Sequence, residues 1–373
     1  MTLTAQLYQT VYLLFALFLT YIVMRQYSMK RLEQDEKSQY RNRKGLYSVI
    51  ILTIVITIFI GLRPIDRAFV DMFDYAEKYE YFLGSIYEFN WNFDNFLFDN
   101  LFAWMCSMRF DVSLFFLLIA IIYFGGIAWA SMKMFPNDTL LAFVMYLGAF
   151  STFSYGTNGI KAGAAASIFL VALTYRNNLK VCIPLLWVSL GFHHSMLAPI
   201  VAFVMAYFVR KPKWFLYGWL FCLILAAAHI TFLMDFFAGF TDEHGAEYLV
   251  GGVENAVEKV SGFRPDFIIY SSVPIIFGYY MITNKNIQSE YYSFLWRTYT
   301  LTNCVFLLCT YGTFINRIAY LSWLMYPFVL LYPVINIQWS NKRFQFKLLK
   351  RVVWWHLYFT LFMLLVYYGF LRS

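Results

Sequence analysis

Long apolar runs separated by short polar stretches dominate this chain. Runs long enough for a membrane helix, which needs about 20 apolar residues, cover 7–24, 46–62, 112–132, 139–155, 160–175, 181–209, 214–234, 267–283, 294–311, 317–335 and 352–371. The run 181–209 is too long for one crossing and short for two, and its middle holds Gly191-Phe192-His193-His194-Ser195 between Pro184 and Pro199. It reads as a broken hairpin, two short helices meeting near the outer face. No basic stretch precedes the first run and no small-residue cleavage site follows it, so it reads as a helix rather than a signal peptide.

Basic residues test that count, because cytoplasmic loops of membrane proteins are enriched in Lys and Arg. The loop 25–44 carries seven of them (Arg25, Lys30, Arg31, Lys37, Arg41, Arg43 and Lys44) and is placed inside. Lys133, Arg176 with Lys180, Arg210-Lys211-Lys213, Lys285 and the block Lys342 to Arg351 then all fall inside, provided 181–209 crosses twice. The prediction is a single polytopic domain, 1–373, of about twelve transmembrane helices with both termini outside. Acidic residues segregate the other way: 63–111 holds nine and 235–266 seven of the chain's 21. Basic inner loops of this kind contact lipid headgroups, and nothing points to nucleic acid.

Composition agrees. Of 373 residues, 61% are hydrophobic and 13% charged, and the mean hydropathy is +0.58. A soluble domain carries roughly 45–50% apolar and about 25% charged residues, and a disordered chain has far less to bury. The fold class is therefore all-α, a polytopic integral membrane protein. The five cysteines form neither a disulfide framework nor a metal-like pair. Cys182, Cys222, Cys304 and Cys309 lie in apolar spans as small hydrophobes, and Cys106 sits unpaired at the outer edge.

Unusual chemistry gathers on the predicted outer face. The loop 63–111 is too long for a plain connection, and its amphipathic stretches, Phe69 to Leu83 and Phe96 to Met105, suit helices lying at the interface. Its aromatics, Tyr75, Tyr79, Tyr81, Phe82, Tyr87, Trp91 and Trp104, fit either an aromatic belt or a sugar-stacking surface. The Gly- and acid-rich loop 235–266 reads as a lid or as a solvated loop. Its Asp242-Glu243-His244 cannot easily turn three ligands to one metal, and no metal or other cofactor is expected.

Charges at membrane depth are costly and mark function. Arg63, Arg67, Lys161, Arg264 and Arg317 stand at the outward ends of spans, as does His193-His194. Guanidinium groups match phosphate oxygens bidentately, so their convergence would suit a diphosphate. Taken singly, each can also snorkel to headgroups or cap a helix. A neutral histidine opposite such cations can act as general base. The stretch Ser154-Tyr155-Gly156-Thr157-Asn158-Gly159-Ile160-Lys161 predicts a turn before a helix of small residues, which permits close helix packing or offers a helix N-terminus to an anion.

Several of these elements, in order along most of the chain, resemble the EpsG-like branch of Wzy-type polysaccharide polymerases. Arg63 followed by Asp71 and Tyr75 is similar to an Arg then Asp-x3-Tyr element, and Gly156 to Ala162 is similar to a Gly-x-Asn-x-Ile-Arg-Gln element. Phe192-His193-His194-Ser195 resembles Phe-His-x-Ser, which selects His193, and Arg317 with Tyr320 resembles a late Arg before an aromatic helix. Lys161-Ala162 departs from Arg-Gln, keeping the charge and losing the fork. The resemblance implies transfer of a growing glycan between undecaprenyl-diphosphate-linked oligosaccharides, O-antigen or capsule repeat units, at the outer face of the inner membrane. It implies His193 as catalytic base with Asp71 and Asp74 as acceptor or alternative-base groups. Arg63, Arg67, Asn158, Lys161, Arg264, Arg317 and Tyr75 would bind substrate, and a chain-length regulator is a candidate partner. The alternatives are a membrane O-acyltransferase, for which no inner loop offers a donor site, and a flippase or transporter, for which no internal repeat is evident.

Overall fold

A computed structural model describes residues 5–27, 39–67, 69–238, 263–313 and 315–367. Lys30, Arg31 and Lys37 of the first basic loop, and the body of the predicted lid at 239–262, lie outside the described residues. Every regular element among the described residues is helical. Among the described residues, five stretches are long and apolar enough to cross a membrane: Leu7–Gln26, Val112–Met134, Pro265–Thr283, Ile315–Ile335 and Lys342–Leu365. Shorter apolar helices cover Gly45–Gly61, Ile160–Thr174, Leu179–Phe192, His194–Phe208 and Pro212–Ala227. The chain is thus an all-helical, multi-pass membrane protein. It forms two compact units, Met1–His193 with Val334–Ser373, and His194–Pro333.

The first unit contains α1 (Ala5–Gln26), α2 (Gln39–Gly61), α3 (Val70–Tyr81), α4 (Phe96–Ser107), α5 (Val112–Met134), α6 (Thr139–Leu147), α7 (Phe150–Thr157), α8 (Ile160–Thr174) and α9 (Leu179–Phe192). Helix α5 is apolar around its whole circumference, as a helix enclosed by others and lipid should be, and packs against α2 and α8. Asp111 starts it by accepting a hydrogen bond from the Ser113 N–H at 2.8 Å. Hydrogen bonds from Ser113 hold the Asp111 carboxyl below its usual range. Small residues on α8 let the backbones close: a Cβ on Gly126 would lie 2.8 Å from Ser167, whose hydroxyl donates to the Ile122 carbonyl at 3.1 Å. Ala164, Ala165 and Ala166 are buried around it.

The run 139–155, predicted as one crossing, is two helices, α6 and α7, bent by 72° at Gly148-Ala149. A bend in an apolar interior frees carbonyls that have no water to turn to. Here side chains supply the donors. The Tyr12 hydroxyl donates to the Leu147 carbonyl at 2.8 Å, and the Thr152 hydroxyl to that of Tyr146 at 2.7 Å. His356 Nε2 lies 2.9 Å from the Met145 carbonyl, which can only accept, so this nitrogen carries the proton. Tyr12 belongs to α1 and His356 to the long C-terminal helix Lys342–Tyr367, so the bend is held from both ends of the chain.

Helices α3 and α4 occur where the amphipathic pattern places them, but their apolar sides cover protein. Met72, Ala76 and Tyr79 of α3 and Phe98, Met105 and Cys106 of α4 are buried, with the Tyr79 and Phe98 rings 6.0 and 5.6 Å from Phe115 of α5. Cys106, expected at the outer edge, is enclosed with its thiol toward the Tyr79 carbonyl, and burial pushes its pKa up to about 11.

The second unit runs through α10 (Leu197–Phe208), α11 (Pro212–Ala227), α12 (Phe232–Ala238), α13 (Pro265–Thr283), α14 (Glu290–Leu308), α15 (Ile315–Trp323) and much of α16 (Tyr326–Ile335). Its hub is α14, against which α10, α11, α13 and α15 pack. Polar groups on α14 are paired inside the bundle: Asn303 accepts from the Trp219 indole at 2.8 Å and donates to Ser322 at 3.0 Å. Arg297, 0% exposed, donates to the Arg210 carbonyl at 2.7 Å and to Glu290 at 2.8 Å.

Replacing His356 by Leu strands the Met145 carbonyl, at a cost of about 1–3 kcal/mol. Thermal unfolding of the detergent-purified protein should drop accordingly, and His356→Gln, which keeps a donor, should recover most of the loss. Equal loss in both variants would show that packing, not the hydrogen bond, matters there.

Candidate functional site

Arg63 follows directly on the end of α2. Its guanidinium folds back to donate to the Ile60 carbonyl at 2.7 Å and also donates to the Thr157 carbonyl at the end of α7. The Phe69 and Phe116 rings lie 5.4 and 5.7 Å from it. Only 4% of Arg63 is exposed, its Nε has no hydrogen-bond partner, and no carboxylate pairs with it among the described residues. Burial pulls its pKa down to about 9, opposed by nearby Tyr8, so the group stays cationic at neutral pH. A buried charge without a counter-charge is costly, and a bound anion would offset that cost.

The carbonyl that Arg63 holds is the last of α7. The predicted turn over Ser154–Gly159 is tighter than expected, because α7 extends to Thr157 and only Asn158 and Gly159 are left to turn. Asn158 Oδ1 is buried with no partner among the described residues. Helix α8 starts at Ile160 without a side-chain cap from Gly159; the Ile160 N–H is taken by the Asn158 carbonyl at 2.8 Å, and the helix dipole at this start favours an anion. Lys161, half-buried on this first turn, has its ammonium 5.7 Å from the Phe98 ring.

Phe98 gathers the rest. Its ring is 5.6 Å from Tyr75 of α3 and 6.3 Å from Phe192, the last residue of α9. Tyr75 and Asp71, four residues apart on one face of α3, are both half-buried, whereas Asp74 is exposed. Ser189 fixes α9 to α8 by donating to the Ala165 carbonyl at 2.7 Å, and a Cβ on Gly191 would come within 2.7 Å of Leu97 of α4. His193 ends α9 in an extended conformation, φ −154 and ψ 121, its N–H bonded to the Ser189 carbonyl at 3.1 Å. A 3-10 turn, His194–Met196, follows at once, which separates the two histidines.

Thus Arg63, Asn158, Lys161, Asp71, Tyr75 and His193 belong to one connected neighbourhood of the first unit. Arg67 is exposed, its guanidinium 5.2 Å from the Phe73 ring. Arg264 and Arg317 belong to the second unit. Arg264 is engaged with Asp266 through both arms, its Nε 2.8 Å from Oδ1, and stacks 4.2 Å over Phe267. Arg317 is exposed on α15. Phe98 is one phenylalanine among 41 and carries no mark in the sequence beyond its place on the buried side of an amphipathic helix. Arg297, a charge within the apolar run 294–311, is the other residue not singled out above, and its partners show a structural role.

The chain is thus an all-helical, multi-pass membrane protein that gathers two cations, Arg63 and Lys161, at the start of one helix, with a histidine at the break of another. The chain belongs to the EpsG family, whose model matches residues 46–372. That family is of polysaccharide-polymerase type, and membership covers both units. No curated protein and no solved structure matches the chain.

Inorganic diphosphate should raise the unfolding temperature of the purified protein by mass action, reaching about 2.7 kcal/mol of stabilisation at 100 times the Kd. Lys161→Gln should shrink that shift. A wild-type protein whose melting is indifferent to diphosphate would argue against an anion site.

Proposed function

We propose that this protein is a glycosyltransferase joining lipid-diphosphate-linked oligosaccharide repeat units at the outer face of the bacterial inner membrane. The observation that carries the reading is Arg63, a buried cation without a carboxylate, held against the Asn158–Lys161 helix start in an EpsG-family chain. Twelve crossings and two outer termini follow from the distribution of basic loops and belong to this proposal.

In the reaction an acceptor hydroxyl attacks the anomeric carbon of the donor glycan. The new C–O bond forms as the bond to the lipid diphosphate breaks. The hydroxyl proton passes to the neutral imidazole of His193, and the diphosphate leaves with the electron pair. Arg63, Lys161 and the α8 N-terminus stabilise the charge growing on that leaving group, where preorganised donors are most effective. Asp71, with Tyr75 one turn further along α3, orients the acceptor sugar, and exposed Asp74 is the alternative base. Arg264 has no role in this scheme because Asp266 occupies its fork. Lysine at position 161 supplies charge without a bidentate geometry, and Arg63, its terminal nitrogens on the Ile60 and Thr157 carbonyls, acts likewise through its charge.

The test is a gel of surface glycan from a strain lacking the gene, complemented with wild-type, His193→Ala or Lys161→Arg protein. Deletion should collapse the ladder to carrier bearing a single repeat unit. His193→Ala should fail to restore it at normal membrane levels, and Lys161→Arg should restore it. A normal ladder with His193→Ala would remove His193 as base. An unchanged ladder lacking an acyl group in the deletion strain would instead identify a decorating enzyme.

A further inference from the structure

Apolar side chains are exposed at the end of α3 and through the segment that joins it to α4. Tyr81, the last residue of α3, is 83% exposed, Ile86 and Trp91 in the segment are 92% and 68% exposed, and Phe82, Leu83, Phe89 and Phe93 are also exposed. This is a built conformation. The Asn100 amide donates to the Asn90 carbonyl at 2.7 Å and accepts from the Asn90 N–H at 2.8 Å. Gly84 donates its N–H to the Cys106 carbonyl at 2.8 Å, with a φ of +80 that favours glycine.

A ladder of rings ties this segment to the membrane-embedded part of the chain. Phe89 lies 4.7 Å from Trp91, Trp91 5.6 Å from Phe96, and Phe96 5.1 Å from Trp187. Trp187 stands on α9 in an exposed stripe with Leu179 and Ile183, spaced by four residues as one helix face requires. On an apolar helix that stripe faces lipid. Trp187 lies five residues, about 7.5 Å, before the end of α9, and α9 itself is about 21 Å long, less than the roughly 30 Å hydrocarbon core. The rings two contacts from Trp187 therefore sit at bilayer depth.

We propose that the segment Leu83–Phe93 is seated in the lipid of the leaflet on the site's side, with Ile86 and Trp91 in contact with acyl chains. Ile86 and Leu83 favour lipid over glycan as the occupant, since sugar stacking uses aromatic faces and has no use for aliphatic side chains. Exposed Glu80 and Asp94 flank the segment and exposed Glu88 lies within it; with Ile86 and Trp91 at acyl depth, the proposal places these carboxylates in the headgroup layer. Because Phe96 of the ladder and Phe98 beside Lys161 are on the same helix, this seating sets the candidate site at headgroup level. A lipid-linked substrate then meets Lys161 sideways, a consequence that rests on the proposed function. The seating itself does not.

The five natural cysteines are all buried, so a cysteine placed at Ile86 can be labelled selectively. Ile86→Cys carrying an environment-sensitive fluorophore should, in phosphatidylcholine/phosphatidylglycerol nanodiscs, be quenched several-fold more by a shallow nitroxide lipid than by aqueous iodide. It should match Ile51→Cys on the exposed face of α2, and Asn177→Cys in the exposed turn after α8 should show the reverse. Quenching at position 86 by iodide and not by the nitroxide lipid would overturn the proposal and turn these rings toward an aqueous glycan. The same labelling at Leu83→Cys gives an independent reading of the segment. Neither measurement depends on catalytic activity, so loss of the seating and loss of the polymerase reading are separable.

Discussion

Backbone carbonyls released inside an apolar interior must find donors within the protein, and the bend between α6 and α7 depends on that requirement. His356 and Tyr12 satisfy the carbonyls of Met145 and Leu147, and Thr152 adds a second donor at Tyr146, whose carbonyl also accepts the Ala149 N–H at 3.0 Å. With those donors in place the chain can turn by 72° and set α7 on a new course. That course brings the Thr157 carbonyl to Arg63 and starts α8 at Ile160, with Lys161 on its first turn. Two elements far apart in sequence, α1 and the C-terminal helix, thus fix the geometry of a turn that neither touches through the candidate site.

The buried and half-buried arginines divide by what they face. Arg297 is bonded to Glu290 and a carbonyl, and Arg264 to Asp266, so each has its charge answered inside its own unit. Arg63 has carbonyls and ring faces only. Carbonyl dipoles offset part of a guanidinium's desolvation, but less than an ion does. The same side chain is therefore ion-paired at Arg264 and Arg297 and, among the described residues, meets no carboxylate at Arg63. A histidine at a helix break, joined to this neighbourhood through Phe192 and Phe98, adds a group that can accept a proton.

Much of this was legible in the sequence, for physical reasons. Hydrocarbon demands long apolar helices, so their positions show as runs, and the interruption at His193 shows because polar residues and two prolines flank it. The bend at Gly148 does not show: the run is apolar throughout, and the donors that permit it come from residues 12 and 356. The amphipathic helices α3 and α4 were readable as helices, but not what their apolar faces meet, because lipid and protein interior are equally apolar. Arg63 and Lys161 stood out as charges at span ends. Phe98, which joins Lys161, Tyr75 and Phe192, carried no local mark to set it apart from the other rings.

The most direct measurement is reconstitution of the purified protein in liposomes with a synthetic polyprenyl-diphosphate-linked oligosaccharide as sole substrate. A ladder of longer glycans should form, with one free polyprenyl diphosphate released for each new linkage. Folded protein that leaves the substrate at single-unit length, or extends it without releasing the lipid diphosphate, would contradict the polymerase reading.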